Sequence, residues 1–430
     1  MESPVAYLRP PAAGRAALRK LGSEYPDPVQ WIHQEQTLND RTCSTEYYSI
    51  QPTFVPPEFW PEQQPVFWLP EFEAPKDQFR LLQNPSRPLP WYLLGSRPDS
   101  YSYLVHPLTV RYFLARGLQG ARWKKPRFLA TPMASHRTLL VWDPRSAAPP
   151  FAVKTSLDRW IGGQYRTVKL KEVRRSVGVS SLLSGPQASL KRQGILVLDD
   201  PVGLMPKRTN AGLLTRDIPS TLGAGEEIVP VFSLLASTRG RPRIVDLIAA
   251  SRLGPLAWVD KFVFAPLVYQ AYFLAMTEGL LGEMHEQNVL MELRDGVPTR
   301  RFWQRDLGGF QFDSELRRLA DKPLAELPAG IRWRHLGRGL PVFHRILGTY
   351  LRGSMGHAIV EVLRKHFDIT AEGLTALYDI RVRKLQKLIF AANGIRTTKD
   401  CERDLDWYRQ RKRPGCTWPW RNLREALREW

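Results

Sequence analysis

The feature that most restricts the fold of this 430-residue chain is an Asp295-Gly296 pair set between two short runs of mixed apolar and polar residues. Asp-Gly tolerates positive φ at both positions, and a two-residue turn of that kind makes its flanking segments pair antiparallel. Residues 289–293 have the pattern of a short strand and residues 301–307 that of its return, so the spacing predicts a hairpin directly after a long apolar helix. Glu283, His285, Gln287, Asn288 and Asp306 then gather at one end of a rigid element. Carboxylates and amide oxygens ligate Mg2+ and an imidazole donates to phosphate oxygen, so this set suits a phosphate-bearing ligand with a divalent cation. The same residues also read as a cap on a buried helix, with Arg305 and Asp306 as a surface ion pair. The rest of the chain has to decide.

Composition sets the bounds. At 43% apolar and 24% charged residues the chain is an ordinary globular protein, long enough for two or three domains. The N-terminus has no apolar run of signal-peptide length, so export is not indicated and a cytoplasmic protein is expected. The most apolar window, residues 262–281, is interrupted by Pro266, Gln270, Thr277 and Glu278, which reads as a buried helix rather than a membrane span. Cys43, Cys401 and Cys416 have neither disulfide-framework nor zinc-ligand spacing. A net charge of +20 raises nucleic acid as a partner. Against that, the basic residues are spread along the chain, and their densest runs, residues 381–384 and 409–413, sit in no nucleic-acid module. No nucleic-acid partner is expected; a solvated face or a funnel for anionic small molecules is.

Along the chain the character changes twice. Residues 1–100 combine prolines with Trp, Phe and Gln, which predicts extended pieces draped over the body as a wrapping segment or small domain. Between 101 and 240, residues 137–143, 151–157, 164–170 and 194–199 read as short strands paired antiparallel. Ser135, Arg137 and Thr138 open the first of these, Lys154 lies in the second, and Gly162 and Arg166 flank the entry to the third. Hydroxyls, an ammonium, guanidinium forks and close-approach glycines are all phosphate donors, though a strand lysine commonly just faces solvent. From 241 to 430 the pattern is helical, with Pro266 marking a kink or break and amphipathic stretches at 340–351, 356–366, 371–391 and 421–430. The fold class read from this is α+β, an antiparallel β-rich centre with helices after it.

Ser135-His-Arg-Thr138, then Lys154 with Arg166 twelve positions later, then Glu283-Met-His-Glu-Gln-Asn288 followed by Arg305-Asp306, resembles the ATP-binding signature of one family. That family is the siderophore synthetases that work without a nonribosomal peptide synthetase, the aerobactin-synthetase type. The resemblance runs from about residue 103 to 390 and includes residues 211–219. It implies a cupped hand: an N-terminal thumb (1–100), β-rich fingers (101–240) and a helical palm (241–430) carrying the hairpin. It further implies an ATP-dependent ligase that adenylates a citrate-like carboxylic acid and condenses it with an amine or hydroxyl nucleophile. Lys154, Arg166 and His285 would be catalytic; with Ser135, Arg137, Thr138, Gln287, Asn288 and Asp306 they would hold ATP, and Glu283, Asn288 and Asp306 would hold Mg2+. Arg216 is the candidate partner for a substrate carboxylate. Members commonly form homodimers.

The chain departs from the family in three ways. It lacks the N-terminal glycine-histidine-proline motif of longer members, His106-Pro107 matching a later segment; it is shorter before residue 100; and Gly162 stands where many members have a hydroxyl. ATP use is thus better carried than citrate use. Two other readings stand beside this one. His285-x-x-Asn288 with Asp306-Leu-Gly308 faintly resembles the loops of small-molecule kinases, but only Glu286 and Gln287 occupy the place of their catalytic Asp. A non-catalytic protein with a basic groove would bind nucleic acid with steep salt dependence.

Overall fold

The computed structural model describes residues 14–39, 55–116, 118, 120–161, 164–220, 222–237, 240–312, 317, 322 and 347–392. The three cysteines, Gly162, the basic run 409–413 and the stretches 340–346 and 421–430 lie outside the described residues. The fold is mixed α+β. Its centre is an eight-stranded antiparallel sheet in the order Phe79–Gln83, Val202–Pro206, Leu213–Arg216, Phe151–Lys154, Thr138–Trp142, Arg122–Pro132, Phe67–Pro75 and Ser100–Leu104.

Several expectations are corrected here. The first hundred residues are not merely extended pieces: helices Gly14–Glu24 and Pro26–Glu35 precede Phe67–Pro75, which is an interior strand of the large sheet. Pro26 stands at the start of its helix, where a missing N–H costs nothing. Pro70 is tolerated inside a strand because the register against Arg122–Pro132 shifts between Leu69 and Glu71, leaving it at a bulge. Aromatic packing holds this strand in place. Phe72 stacks on Tyr103 with ring centroids 5.0 Å apart and meets Trp123 edge-on at 5.4 Å.

The second correction concerns residues 164–170. Only Gln164–Tyr165 is strand; from Leu170 the chain is a fifteen-residue helix to Ser184. Leu170, Val173 and Val177 recur at helical spacing and pack with Val168, Met205 and Leu214 on the large sheet. Residues 166–169 form neither strand nor helix, and their backbone bonds to loop partners instead, Val168 N–H donating to Ser156 Oγ at 2.9 Å.

A second sheet runs Glu226–Pro230, Val289–Arg294, Val297–Gln304 and Ile195–Val197. The hairpin is present, with Asp295 at φ 51° and Gly296 at φ 76° as the turn requires. Its return strand starts at Val297, earlier than expected, because a register shift between Met291 and Leu293 accommodates Pro298 opposite Leu293. Ile195–Val197 pairs with it in parallel, where antiparallel pairing was expected; a chain segment of about a hundred residues separates the two and frees the direction.

Behind this sheet lies a helical core. Pro266 falls near the start of the helix Ala265–Glu278, preceded by a π-helical turn Asp260–Phe264 and the helix Pro255–Val259, so the predicted break is there. Arg381, from a run read as solvated, forms a two-pronged ion pair with Asp260. Among the described residues no helix is long and apolar enough to cross a membrane.

The contact of the helix Leu170–Ser184 with the large sheet depends on Gly203, where an added Cβ would lie 2.1 Å from Val173 Cγ1 and 3.2 Å from Leu214 Cδ2. Gly203→Ala is expected to lower stability by about 1–3 kcal/mol through overpacking. Urea unfolding followed by circular dichroism checks this; a midpoint equal to that of the unmodified chain refutes it.

Candidate functional site

The cross-strand register brings the first part of the site together. Thr138 and Leu214 both lie opposite Lys154, and Arg216 lies opposite Ala152, so Thr138, Lys154 and Arg216 emerge on one face of the large sheet. The turn before Thr138 is tight: His136 takes φ 62°, its N–H bonds to the Met133 carbonyl at 2.8 Å, and Ser135 Oγ donates to Thr138 Oγ1 at 2.8 Å. Arg137 is held by its backbone carbonyl, which accepts from both the N–H and the hydroxyl of Thr155 at 2.8 and 3.0 Å. Its guanidinium donates to the Arg166 carbonyl at 3.0 Å, and Arg166 Nε donates to the Ile161 carbonyl at 2.9 Å.

The second part comes from the hairpin. Arg305 and Asp306 follow its return strand, and Asp306 sits at φ 61°, turning the chain into Leu307–Gly309. Lys154 Nζ is 2.5 Å from Asp306 Oδ1 and 2.7 Å from Glu172 Oε1. Glu172 Oε1 is also 3.1 Å from Arg137 Nη2, and Asp306 Oδ1 is 3.5 Å from Arg216 Nη2. Burial alone would raise the Asp306 pKa, but Lys154, Arg216 and Arg137 outweigh it and hold the carboxyl well below its usual range. Glu172 is lowered in the same way: burial opposes ionisation, and Lys154 and Arg137 prevail. Glycines permit the close approach, since a Cβ at Gly308 would lie 3.0 Å from Glu172 Cγ and one at Gly309 2.5 Å from Glu283 Oε2.

One cavity, with about 540 Å3 of empty space including its mouth, is lined by Ser135, His136, Arg137, Thr138, Lys154, Arg166, Arg216, Gln287, Asn288, Arg305 and Asp306. Residues from three distant segments thus face a common space. His285 and Glu283 are not part of that lining. The amide N–H of Gln287 donates to His285 Nδ1 at 3.3 Å, which leaves Nε2 facing the Asn288 side-chain amide at 3.1 Å. Burial keeps the His285 imidazole below its usual pKa, so at neutral pH it is an uncharged prop for Asn288. Glu283 accepts from Tyr350 Oη at 2.9 Å; burial raises its pKa, with the charge of Asp306 adding to it.

Arg216 reaches the cavity, yet most of its fork is already used: Nε and Nη2 bond to the buried Asp200 at 2.7 and 3.0 Å. Nη1 is what it has left to offer a ligand. Arg305 is not a surface residue at all. It is buried, pairs with the buried Glu35, and donates from Nε and Nη2 to the Gln287 carbonyl at 2.9 and 2.6 Å.

The sequence reading missed Glu172 and Glu35. Glu172 lies in the first turn of a helix that follows the predicted strand 164–170 and was not foreseen, and Glu35 is 270 residues from Arg305, so no local pattern ties it to the hairpin.

Among the described residues no group of three or more His, Cys, Asp and Glu side chains is gathered as a self-sufficient metal site. Asp306 and Asn288 nevertheless place two oxygen-bearing side chains on the cavity wall, with Glu283 beside Asp306. That donor set fits Mg2+, which is bound through one or two carboxylates plus substrate phosphates rather than by an all-protein cage.

Residues 74–236 match the family model described as the IucA / IucC family. The match spans Ser135, Arg137, Thr138, Lys154, Arg166 and Arg216 and ends before the hairpin. No curated protein matches the chain by sequence. Among solved structures, petrobactin biosynthesis protein AsbB from Bacillus anthracis str. Sterne aligns with a TM-score of 0.63 at 16% identity, over 88% of this chain and 72% of that one. ATP-bound aerobactin synthetase IucA from a hypervirulent pathotype of Klebsiella pneumoniae aligns with a TM-score of 0.62 at 17% identity, over 89% of this chain and 73% of that one. At such identities the structures establish a shared fold, and the family match supports the part of the resemblance that lies within residues 74–236.

His136 supplies a pH test of this geometry. Burial, with Arg166 nearby, lowers its pKa from 6.5 to about 3. Above pH 6.5 the ring is neutral in both folded and unfolded chains; below it the unfolded chain takes up a proton that the folded chain accepts only near pH 3. The stability this burial allows is full above 6.5 and falls as the pH drops towards 3, by at most about 1.4 kcal/mol per pH unit. In His136→Asn, a residue that tolerates positive φ, the fall in melting temperature between pH 6.5 and 4.5 should be shallower. Parallel curves for the two proteins would show that His136 does not titrate as described.

Proposed function

We propose, from the likeness to IucA / IucC synthetases, that this chain is an ATP-dependent ligase. It adenylates a small carboxylic acid and transfers the acyl group to an amine or hydroxyl in making a siderophore or related natural product. The observation that carries this reading is the meeting of Lys154, Arg216 and Asp306 with Arg137, Arg166 and the hairpin residues around one cavity. A cavity lined by five cationic side chains, Arg137, Lys154, Arg166, Arg216 and Arg305, is built for a polyanion. The IucA structure of similar fold is ATP-bound, which supports a nucleotide as that polyanion.

In the first step a carboxylate oxygen of the acid bonds to the α-phosphorus of ATP while the bond to the pyrophosphate leaving group breaks. The nucleophile is already anionic, so no base is needed; the site has to neutralise charge and align the reactants. Lys154, Arg137 and Arg166 serve the phosphates, with the Thr138 hydroxyl, oriented by the bond it accepts from Ser135, as a further donor. Gln287 and Asn288 contact the nucleotide from the hairpin side, and neutral His285 orients Asn288. Mg2+, when bound with the nucleotide, supplies charge neutralisation; Asp306 and Asn288, with Glu283, are the residues that would hold it. In the second step the amine or hydroxyl attacks the acyl carbon, the acyl C–O bond to AMP breaks, and the nucleophile's proton passes to solvent water. Arg216 Nη1 is where a second carboxylate of the acid would be held.

Lys154→Ala, Arg166→Ala and Asp306→Ala should each reduce acid-dependent pyrophosphate release by on the order of 10²–10³. A screen of di- and tricarboxylic acids with polyamine and amino-alcohol acceptors reads this out, with circular dichroism to confirm folding. AMP and pyrophosphate are the expected products. Formation of ADP would instead assign a kinase, and unimpaired turnover in all three variants would remove these residues from the site.

A further inference from the structure

We propose that Glu35 is a ligand-reading residue of the cavity: one of its carboxylate oxygens accepts a hydrogen bond from an N–H or O–H group of the bound small molecule. The inference rests on the small-molecule reading given above and adds a residue that neither the motifs nor the family match contains. Glu35 ends the helix Pro26–Glu35, in a segment well before residue 74, where the family match begins.

Three observations carry it. Glu35 is fully buried and yet lines the cavity together with Met133, Ala134 and its ion-pair partner Arg305. Its Oε1 is bonded to Arg305 Nη1, whose remaining nitrogens grip the Gln287 carbonyl, so the carboxylate is held in one orientation. Among the described residues its Oε2 has no hydrogen-bond partner. Buried polar atoms are almost always paired, and an unpaired acceptor on a residue that lines a binding cavity marks a place where something else completes the bond. Helix stability does not account for the residue, because a negative charge at a helix C-terminus is disfavoured by the helix dipole.

The arrangement discriminates between ligands. The cations of the cavity favour any polyanion, whereas a carboxylate oxygen among them repels phosphate and accepts only from a donor. A purely anionic molecule such as pyrophosphate leaves Oε2 unsatisfied. A molecule that presents an amino or hydroxyl group on that side satisfies it. The donor comes either from the sugar or base of the nucleotide or from the nucleophilic amine or alcohol, and the chemistry at Oε2 is the same for both.

The test compares the full-length wild-type chain with Glu35→Gln and Glu35→Leu. ATP affinity is measured by calorimetry and the acceptor KM by pyrophosphate release, with melting temperature as the check on folding. Glu35→Gln should weaken one ligand at least tenfold and leave the other within twofold; a loss in ATP affinity assigns the donor to the nucleotide, and a raised acceptor KM assigns it to the nucleophile. On the wild-type chain, ATP analogues lacking the 2′-hydroxyl, the 3′-hydroxyl or the base amino group, or acceptors lacking one amine, should reproduce that loss. The variant and the analogue effects should not add, since they remove the same bond. Unchanged ATP affinity and acceptor KM in folded Glu35→Gln, or a wild-type chain indifferent to every such analogue, overturns the role of Glu35. Failure of the wild-type chain to bind ATP at all would instead overturn the ligase reading, and is seen before any variant is made.

Discussion

Lys154 is a buried ammonium, 2% exposed, at the end of a strand in the middle of the large sheet. A cation there is tolerable only with anions at bonding distance, because loss of water costs several kcal/mol and must be offset by close, well-placed charges. Asp306 and Glu172 provide them from two different parts of the chain. This one contact joins the sheet strand Phe151–Lys154, the hairpin and the helix Leu170–Ser184. The glycines at 308 and 309, the left-handed backbone of Asp306 and the placement of Arg137 all follow from bringing those three elements close enough.

The same logic recurs on the other side of the cavity with the signs reversed. Glu35 and Arg305 form a buried pair between the N-terminal helix and the hairpin, and Arg305 in turn fixes the Gln287 carbonyl. A second buried pair, Asp200 with Arg216, anchors the strand Leu213–Arg216. The cavity is thus walled by charges that are already partnered, which is how a cluster of cations can be preorganised without a bound anion. Catalysis by alignment needs side chains that do not have to move when the ligand arrives, and such pairs hold them.

Much of this could be read from the residues. Asp295-Gly296 marked the hairpin, Pro266 marked the helix break, and the spacing of Ser135, Arg137, Thr138, Lys154, Arg166 and Asp306 carried the family resemblance that the match over residues 74–236 supports in part. What could not be read were the long-range partners. Glu172 sits in a helix that the reading of 101–240 as β-rich left out, and Arg305 looked like a surface ion-pair member because its partner lies 270 residues away. The proline-rich start misled for a similar reason: prolines restrict local geometry, yet a bulge at Pro70 let that strand take an interior place in the sheet.

The sequence by itself determined the local pieces and the chemical inventory: a hairpin, a run of strands, a broken helix, and the hydroxyls, cations and carboxylates suited to phosphate. Turn chemistry and side-chain type act over a few residues, so they leave a local trace. Only the tertiary structure decided which charges are buried together, that His285 backs Asn288 instead of lining the cavity, and that Glu35 joins its lining with an oxygen unpaired among the described residues. Those outcomes depend on strand register and on desolvation, and both are set by parts of the chain that meet only when it folds.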